Sequence, residues 1–406
     1  MEKEKFDVIV LSRNYSTGLG VIRSLGAAGY NVDLISSTKK KGSSALITCS
    51  KYVNSAKEIQ SKIIQGDTGE DLIMALLQLR KNKEKKAVLF PTDDFTASVA
   101  LAHKNQLEKY YYMPDVCQDA KWTFQQVMDK SIQKLIADQC GLKTPLQWTI
   151  SLKDKIEIPK DMIYPCFVKP KESISGRKAE MKKCENLEDL HKHLETMQSF
   201  FKDRAVLVQE FLEIEEEYDL SGVCMDQKVV VPGVIKKTKI AAYERGVTMS
   251  GQMVSANILT EVKDGLEKFL KAIRYKGMFD MEFNLAGGKI YFNEINLRSG
   301  GPSYFYYLCG VNLPALSVEA IMGLTTTKTS PHIKESAIGK TFVYEKVCWE
   351  DYIHGYISKK EKDKIINSAD YKLIENKEDP KPGQAFNKRI KLSFLKNRLK
   401  NLLGKK

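Results

Sequence analysis

A hairpin near residue 287, whose apolar strands carry polar side chains in alternation, constrains this chain more than any other feature. Its first strand covers 278–284 (MFDMEFN), and after two glycines the second covers 291–298 (YFNEINLR). Alternate side chains of neighbouring strands share a face, so Glu282, Glu294 and Asn296 are expected to converge. Acidic and amide groups inside apolar strands are unfavourable without a compensating partner. The alternative is a charged hairpin that faces solvent.

Two carboxylates and an amide oxygen are ligands that suit a hard divalent cation. Mg²⁺ prefers oxygen ligands and usually completes its shell with substrate phosphates, so the hairpin predicts Mg²⁺, or Mn²⁺, beside a nucleotide. Asp280 shares the parity of Glu282, and either residue could be the first ligand. Arg298 follows with the same parity and could stabilise a transferring phosphoryl group or an oxyanion. A surface salt bridge is the other interpretation of this arginine.

The N-terminal segment predicts an α/β domain. An apolar strand at 6–11 precedes a polar loop with two glycines, a helix at 21–29 and a strand at 30–35, which together form a parallel βαβ unit. A dinucleotide site is disfavoured because the GxGxxG pattern is incomplete and serines stand where an acid would end the second strand. A helix near 70–80 and a strand at 87–90 continue the alternation.

From about residue 113 the pattern changes to α+β. A helix is predicted over 123–141 from apolar residues spaced by three and four. Short β-branched runs follow and predict antiparallel sheets. These runs lie at 165–170, 206–212, 219–224, 229–235, 279–285 and 290–295.

Two weaker clusters favour a nucleotide. Lys169 lies near the end of the apolar run 164–170, and the flexible segment after it could close over phosphates held by this lysine. The GxxxxGK[ST] pattern is missing, so a P-loop is excluded at the level of the motif. The run 207–212 ends before an acidic stretch, where backbone groups could meet a purine edge and a carboxylate could bind ribose. An acidic surface loop would look similar.

In this order the clusters resemble the ATP-grasp superfamily over roughly residues 1–325. The resemblance implies a Rossmann-like pre-ATP-grasp domain at 1–112, an ATP-grasp domain of two α+β subdomains at 113–325, and a C-terminal extension at 326–406. It assigns the nucleotide phosphates to Lys130, Lys169, Ser175 and Gly176, adenine to Glu210, Phe211 and Leu212, ribose to Glu217, Mg²⁺ to Glu282, Glu294 and Asn296, and catalysis to Arg298. A further phosphate contact is left open among Lys236, Lys237, Lys239 and Arg245.

Within the superfamily the chain is similar to carbamoyl-phosphate-synthase-like carboxylate–amine ligases, including D-aspartate ligases. The similarity lies in 11–14 (LSRN), 90–94 (FPTDD) and a tail from Asp351 to Pro380. It implies ATP as cofactor and small-molecule carboxylate and amine substrates, either a cell-envelope precursor or an amino acid or dipeptide. The polar groups nominated for the acceptor are Arg13, Asn14, Asp93 and Asp94. A carboxylase, a kinase and a membrane-docked nucleotide-binding scaffold are the alternatives.

Composition predicts a cytoplasmic protein without structural zinc. No apolar run approaches a membrane span, the charged start leads directly into a strand, and the eight cysteines include no CxxC pair. The formal net charge of +13 concentrates in 387–406, where Leu392, Leu395, Leu399 and Leu402 share a helical face. This helix could contact the inner face of an anionic membrane, cover the protein's own core or be a solvated tail. No nucleic-acid partner is expected, and the oligomeric state is left open.

Overall fold

The computed structural model describes residues 6–13, 15–38, 45–60, 69–117, 119–171, 181–200, 205–225, 228–244, 246–324 and 332–402. The strands are β1 (Asp7–Ser12), β2 (Asn31–Thr38), β3 (Val53–Gln60), β4 (Ala87–Pro91), β5 (Tyr111–Tyr112), β6 (Asp115–Val116), β7 (Gln147–Ser151), β8 (Cys166–Pro170), β9 (Lys182–Cys184), β10 (Ala205–Glu210), β11 (Glu216–Met225), β12 (Lys228–Val230), β13 (Val234–Ile240), β14 (Thr248–Val254), β15 (Tyr275–Ala286), β16 (Lys289–Asn296), β17 (Thr341–Val343) and β18 (Tyr371–Lys372). The helices are α1 (Tyr15–Ala27), α2 (Ala45–Thr48), α3 (Glu70–Arg80), α4 (Asp94–Ala102), α5 (Lys104–Leu107), α6 (Phe124–Val127), α7 (Lys130–Gln139), α8 (Leu187–Phe200), α9 (Lys263–Ile273), α10 (Ser303–Leu308), α11 (Leu313–Ile321), α12 (Glu345–Ile353), α13 (Lys359–Ser368) and α14 (Pro380–Leu402), with 3₁₀ turns at Ala256–Val262 and Glu335–Ala337.

The first sheet is parallel, with the strand order β3-β2-β1-β4-β5. The residues of β1 from Val8 to Leu11 are fully buried, as expected for a parallel strand with covered faces. The predicted α/β character of the N-terminal part is confirmed, with the expected strands found as β1, β2 and β4 and the helix near 70–80 found as α3.

The loop predicted around the first two glycines is wrong, because Gly18 and Gly20 lie inside α1. A Cβ atom on Gly18 would lie 2.4 Å from the Ser12 hydroxyl oxygen, and one on Gly20 would lie 2.6 Å from Cβ of Tyr304. The two glycines therefore allow α1 to pack closely against β1 and α10. Their role in this structure is packing.

The rest of the chain forms two largely antiparallel sheets, which confirms the α+β prediction. The smaller sheet has the order β7-β10-β8-β9 and packs its apolar face on α8. The larger has nine strands along the path β16-β15-β11-β13-β14-β17-β18, with β12 paired to β11 and β6 to β15. β17 pairs with β14, and β18 pairs with β17 in parallel, so residues beyond 326 extend this sheet.

Two predicted elements are divided in the structure. The helix expected over 123–141 is two helices, α6 and α7, because Asp129 has an extended backbone and its carboxylate caps α7 by accepting from the Ser131 N–H. The strand expected over 229–235 is likewise two strands, β12 and β13. The first division matters for function, since it makes Lys130 the first residue of α7.

A buried ion pair fastens the C-terminal segment to the first sheet. Arg23 of α1 and Asp379, just before α14, are each 1% exposed and their Nε and Oδ2 atoms lie 2.9 Å apart. Arg23 also donates to the carbonyl oxygens of Leu373 and Ile374, and Ser50 donates to Asp379. These hydrogen bonds satisfy both charges inside the protein.

No helix among the described residues combines the length and apolar character that crossing a bilayer requires.

We predict that Arg23→Met lowers the free energy of unfolding by about 3–5 kcal/mol, because it leaves the Asp379 carboxylate buried without its partner. Urea denaturation followed by circular dichroism measures this. The matched control is Arg274→Met, which removes an exposed ion pair with Asp119 and should leave the urea midpoint nearly unchanged. Equal midpoints for the two variants would contradict the prediction.

Candidate functional site

A cavity of about 860 Å³ lies where the three sheets meet. The first sheet contributes the residues after β4, the small sheet contributes β8 and the end of β10, and the nine-stranded sheet contributes β11, β15 and β16. A cavity of this volume falls in the range of pockets that enclose a small molecule or cofactor. The predicted site residues that the structure describes line this cavity, and they are Lys130, Lys169, Glu210, Phe211, Leu212, Glu217, Glu282, Glu294, Asn296 and Arg298.

Three neighbouring strands place the acidic side chains on one face. Glu282 of β15 lies opposite Glu294 of β16, and Asp280 lies opposite Asn296. On the other side of β15, Asp219 of β11 lies opposite Glu282. The structure thus brings together the three predicted metal ligands. Sequence reasoning missed Asp219, although its parity with Glu217 in an apolar run was the available signal.

Lysines face these carboxylates. Lys130 Nζ lies 2.5 Å from Glu294 Oε2, and Lys237 Nζ lies 2.8 Å from Glu282 Oε2 and 3.5 Å from Glu217 Oε2. Burial opposes the charge of Glu294, but Lys130 lowers its pKa to about 2, and burial likewise opposes the charge of Lys130, whose pKa Glu294 raises. Both groups are therefore ionised at neutral pH.

The basic run after residue 235 makes different contacts at each described lysine. Lys237 is the residue directed into the carboxylate cluster, and Glu282 and Asp219 raise its pKa against the effect of burial. Lys236 pairs with Glu216. Lys239 Nζ lies 2.5 Å from a carboxylate oxygen of Glu361. Arg245, the fourth candidate, lies outside the described residues.

Lys169 behaves differently from its neighbours. It is 6% exposed, and burial together with the positive charge of Lys130 lowers its pKa to about 7. Near neutral pH the Lys169 side chain is therefore a mixture of the neutral amine and the charged ammonium. An anion in the cavity would favour the charged form. The covering loop predicted at Ser175 and Gly176 lies outside the described residues.

Arg298 connects the acidic face to the first sheet. Its Nε and Nη2 atoms lie 2.8 and 3.3 Å from the two carboxylate oxygens of Asp94, and Nη1 lies 3.8 Å from Asp280 Oδ2. The side chain is 17% exposed, so the guanidinium is held inside the cavity wall by a bidentate pair. Sequence reasoning nominated Asp94 for acceptor binding and missed this contact.

Protein groups already engage Asp280. Ser221 donates to Asp280 Oδ1 at 2.9 Å, and Gly300 approaches so closely that a Cβ atom there would lie 1.9 Å from the same oxygen. Burial raises the pKa of Asp280, and burial and Asp280 raise that of Asp219, so the two carboxyl groups favour sharing a proton. Glu282 is engaged as well, by Lys237 at 2.8 Å, so each of the two carboxylates has a protein partner in this structure.

The acidic face fits a hard cation in its chemistry. Within the described residues no three His, Cys, Asp or Glu residues form a metal site by themselves, and the predicted set uses an amide oxygen as its third donor. Asp219 Oδ1 is buried and accepts no hydrogen bond from the described residues. A buried carboxylate oxygen without a donor is stabilised by a cation nearby.

The end of β10 forms the wall on the other side of the cavity. The N–H of Glu210 donates to the Leu146 carbonyl at 2.9 Å, and the Glu210 carboxylate accepts from the Leu146 N–H at 3.2 Å. The N–H of Phe211 donates to the Pro165 carbonyl at 3.1 Å. These bonds fix the predicted adenine-contacting segment, Glu210 to Leu212, between β7 and β8.

The groups nominated for the acceptor lie at the first sheet. Asp93 accepts from the backbone N–H groups of Arg13 and Thr96 at 2.9 and 3.0 Å, which caps α4 and joins it to the end of β1. Asp93 and Asp94 both line the cavity. Asn14 lies outside the described residues.

A loop at the cavity mouth is held by the C-terminal segment. The N–H groups of Ala242 and Tyr243 donate to the two oxygens of Asp351 at 2.9 and 2.8 Å. The Tyr243 ring stacks on His354 with centroids 3.7 Å apart. The same loop continues into residues 246–248, which line the cavity. Residues beyond 326 thus support the wall of the site.

Comparison with known proteins identifies the central part of the chain. Residues 135–301 match the family model of the ATP-grasp domain. The chain is 27% identical over 180 residues to the carbamoyl phosphate synthase large chain of Methanosarcina barkeri, covering 43% of this chain and 45% of that protein. It is 24% identical over 212 residues to the C-terminal section of the Aquifex aeolicus large chain, covering 51% and 39%. The chain thus spans less than half the length of these curated relatives.

Solved structures share the fold over most of the chain. Biotin carboxylase from Campylobacter jejuni matches with a TM-score of 0.63 and 16% identity, covering 83% of this chain and 74% of that one. L-amino acid ligase from Bacillus licheniformis matches with a TM-score of 0.60 and 15% identity, covering 84% and 79%. At these identities the likeness establishes the fold alone.

We predict that affinity for a polyphosphate such as ATP falls about tenfold between pH 6 and pH 8 because of Lys169, whose pKa of about 7 makes it lose its proton over this range. Isothermal titration calorimetry in buffers of different ionisation enthalpy measures affinity and proton uptake together. Lys169→Arg keeps the charge and should remove this part of the pH dependence. The control is Lys171→Arg, at a half-buried lysine paired with Asp129. If the Lys169→Arg protein showed the same pH dependence as the unaltered protein, the assignment would be wrong.

Proposed function

Because this chain carries an ATP-grasp domain, we propose that it is an ATP-dependent carbon–nitrogen ligase that forms ADP and joins a small-molecule carboxylate to an amine. The observation that carries the proposal is the pairing of an acidic face, Glu282, Glu294 and Asn296, with Lys130 and Arg298 in one cavity. In this proposal residues 1–112 form the pre-ATP-grasp domain, residues 113–325 bind the nucleotide, and residues 326–406 form the extension.

The nucleotide lies between the small sheet and the nine-stranded sheet in this proposal. Lys130 and Lys169 bind its phosphates, since both line the cavity, Lys169 from a buried position and Lys130 from a part-buried one. Glu217 binds the ribose hydroxyls. Its carboxylate contacts Lys237 at a distance of 3.5 Å, and this long contact leaves the carboxylate oxygens able to accept hydrogen bonds from the hydroxyls. The segment Glu210 to Leu212 contacts adenine.

Glu282, Glu294 and Asn296 are the residues that would hold Mg²⁺ or Mn²⁺. When bound, the cation neutralises phosphate charge and polarises the phosphoryl group. Glu294 is available to this role as a carboxylate, because Lys130 lowers its pKa against the effect of burial. Asp219 lies beside the set, opposite Glu282, without being one of the three ligands, and burial and Asp280 raise its pKa.

Arg298 acts on the charge that develops during reaction. The substrate carboxylate attacks the γ-phosphorus of ATP, the bond to the bridging oxygen breaks, and ADP leaves behind an acyl phosphate. An amine then attacks the acyl carbon, the bond from that carbon to the phosphate oxygen breaks, phosphate leaves with the bonding electron pair, and the nitrogen releases a proton as the amide forms. Asp94 orients the guanidinium, which lies in the cavity wall where it can stabilise negative charge.

The proposal extends to the identity of the two substrates, for which there are two candidates. A cell-envelope precursor is favoured by the likeness to ligases that extend such precursors, and by the basic C-terminal helix, which would place the protein at the inner face of a membrane. An amino acid or dipeptide is favoured by the likeness of the fold to an L-amino acid ligase. The complete set of charged groups disfavours a nucleotide-binding scaffold without turnover.

We predict ADP and a condensed amide product when the purified chain is incubated with Mg-ATP and pools of amino acids and cell-envelope precursors. Coupled ADP assay and mass spectrometry of the same sample give stoichiometry and both substrates. Glu294→Gln and Arg298→Ala should each lower ADP formation by about 100-fold or more, because each removes charge at the reacting phosphoryl or acyl group. Arg298→Ala should still bind ATP.

The matched control is Glu267→Gln, at a surface carboxylate on α9 paired with Lys271, and it should keep full activity. ADP formation without an amide, together with a phosphorylated product, would replace the ligase by a kinase. ATP binding without turnover in every pool would support the scaffold.

A further inference from the structure

The C-terminal helix α14 has a defined inner face that packs on the protein. Phe386 and Ile390 are 3% and 7% exposed. The Phe394 ring stacks on Tyr352 with centroids 5.6 Å apart, and the Asn397 side-chain amide donates to the Ile353 carbonyl at 2.7 Å. These four positions are spaced by four, four and three residues, so they lie on one side of the helix. The rotation of α14 about its axis is therefore fixed.

Leu392 and Leu395 of α14 lie on the opposite side. Leu392 and Leu395 are 52% and 53% exposed, and Leu399 and Leu402 follow them in the sequence at spacings of four and three. At about 100° per residue, Leu392 and Leu395 point well over a quarter-turn away from the inner face. The expectation that these leucines cover the protein's own core is not met by the described pair. Phe386 and Ile390 fill that role instead.

Positive charge surrounds the exposed leucines. Lys388, Arg389 and Lys391 are exposed. Residues 387–406 contain no Asp or Glu, and their basic residues are Lys388, Arg389, Lys391, Lys396, Arg398, Lys400, Lys405 and Lys406. Two exposed leucines three residues apart and three exposed cations thus share one short stretch of the helix. Apolar residues flanked by lysine and arginine are typical of a helix that lies in the interface of a membrane.

We propose that the outer face of α14 docks on a bilayer surface rich in anionic phospholipid. Leu392 and Leu395 enter the boundary between headgroups and acyl chains, while the lysines contact anionic headgroups. A second copy of the chain is disfavoured as the occupant, because a symmetric contact would bring the two clusters of cations together. Nucleic acid would pair with the cations but would leave the leucines in water.

Sedimentation of the full-length protein with vesicles tests this proposal. The protein should bind vesicles of phosphatidylcholine mixed with phosphatidylglycerol at least tenfold more tightly than vesicles of phosphatidylcholine alone. Leu392→Asn with Leu395→Asn should weaken binding about tenfold or more, and so should Lys388→Glu with Lys391→Glu. Raising the salt concentration should weaken the binding of the unaltered protein to the mixed vesicles, because salt screens the attraction between its cations and the headgroups.

Matched control variants distinguish binding through this face from non-specific binding to vesicles. Leu187→Asn changes another leucine that is 55% exposed, on α8, and Lys268→Glu changes an exposed lysine on α9. Both should bind mixed vesicles like the unaltered protein. Circular dichroism and urea denaturation establish that each variant is folded, so a loss of binding reports the surface itself.

Three outcomes would overturn the proposal. Undiminished binding by the double leucine variant would show that the leucines do not enter the bilayer surface. Equal binding to neutral vesicles would show that the lysines do not contact anionic headgroups. Absence of vesicle binding together with self-association that the leucine substitutions abolish would assign the face to a second copy of the chain. The test does not depend on the ligase activity, because binding is measured without ATP or substrates.

Discussion

The opposition of buried carboxylates and cations in the cavity is the constraint on which the rest of the structure depends. Glu294 is ionised in a buried position because Lys130 lies 2.5 Å away, and Glu282 is balanced by Lys237. Removing either partner would leave a part-buried charge without its counter-charge, which costs more than a lost surface pair. These pairs bring the α7 N-terminus close to β16 and bring β13 close to β15 at the cavity.

Two arginines form ion pairs that involve the first sheet and its helices. Arg298, just beyond β16, pairs with Asp94 of α4, and Arg23 of α1 pairs with Asp379 near the C-terminus. Both pairs join segments more than 200 residues apart and both have hydrogen-bonded partners for most of their donors. The parallel sheet is thus tied to the nine-stranded sheet at the cavity and again to the C-terminal segment, so the cavity has walls from all parts of the chain.

Sequence reasoning succeeded where the informative pattern is local. The alternation of side chains in β15 and β16 predicted which residues share a face, since a period of two is fixed by strand geometry. It failed where a contact depends on register between distant strands. Asp219 reaches Glu282 through the pairing of β11 with β15, and Lys237 reaches it from β13. Likewise, the packing of Gly20 against Tyr304 joins residues that no sequence spacing relates.

The C-terminal segment connects the surface helix to the site. Asp379 directly precedes α14 and is held by Arg23, whose helix packs on β1, and β1 pairs with β4 at the cavity. Farther along, α14 contacts α12 through Phe394 and Tyr352, and α12 carries Asp351, which binds the loop at the cavity mouth. A continuous series of contacts therefore joins α14 to residues that line the cavity, through Asp379 and Arg23 on one side and through α12 on the other.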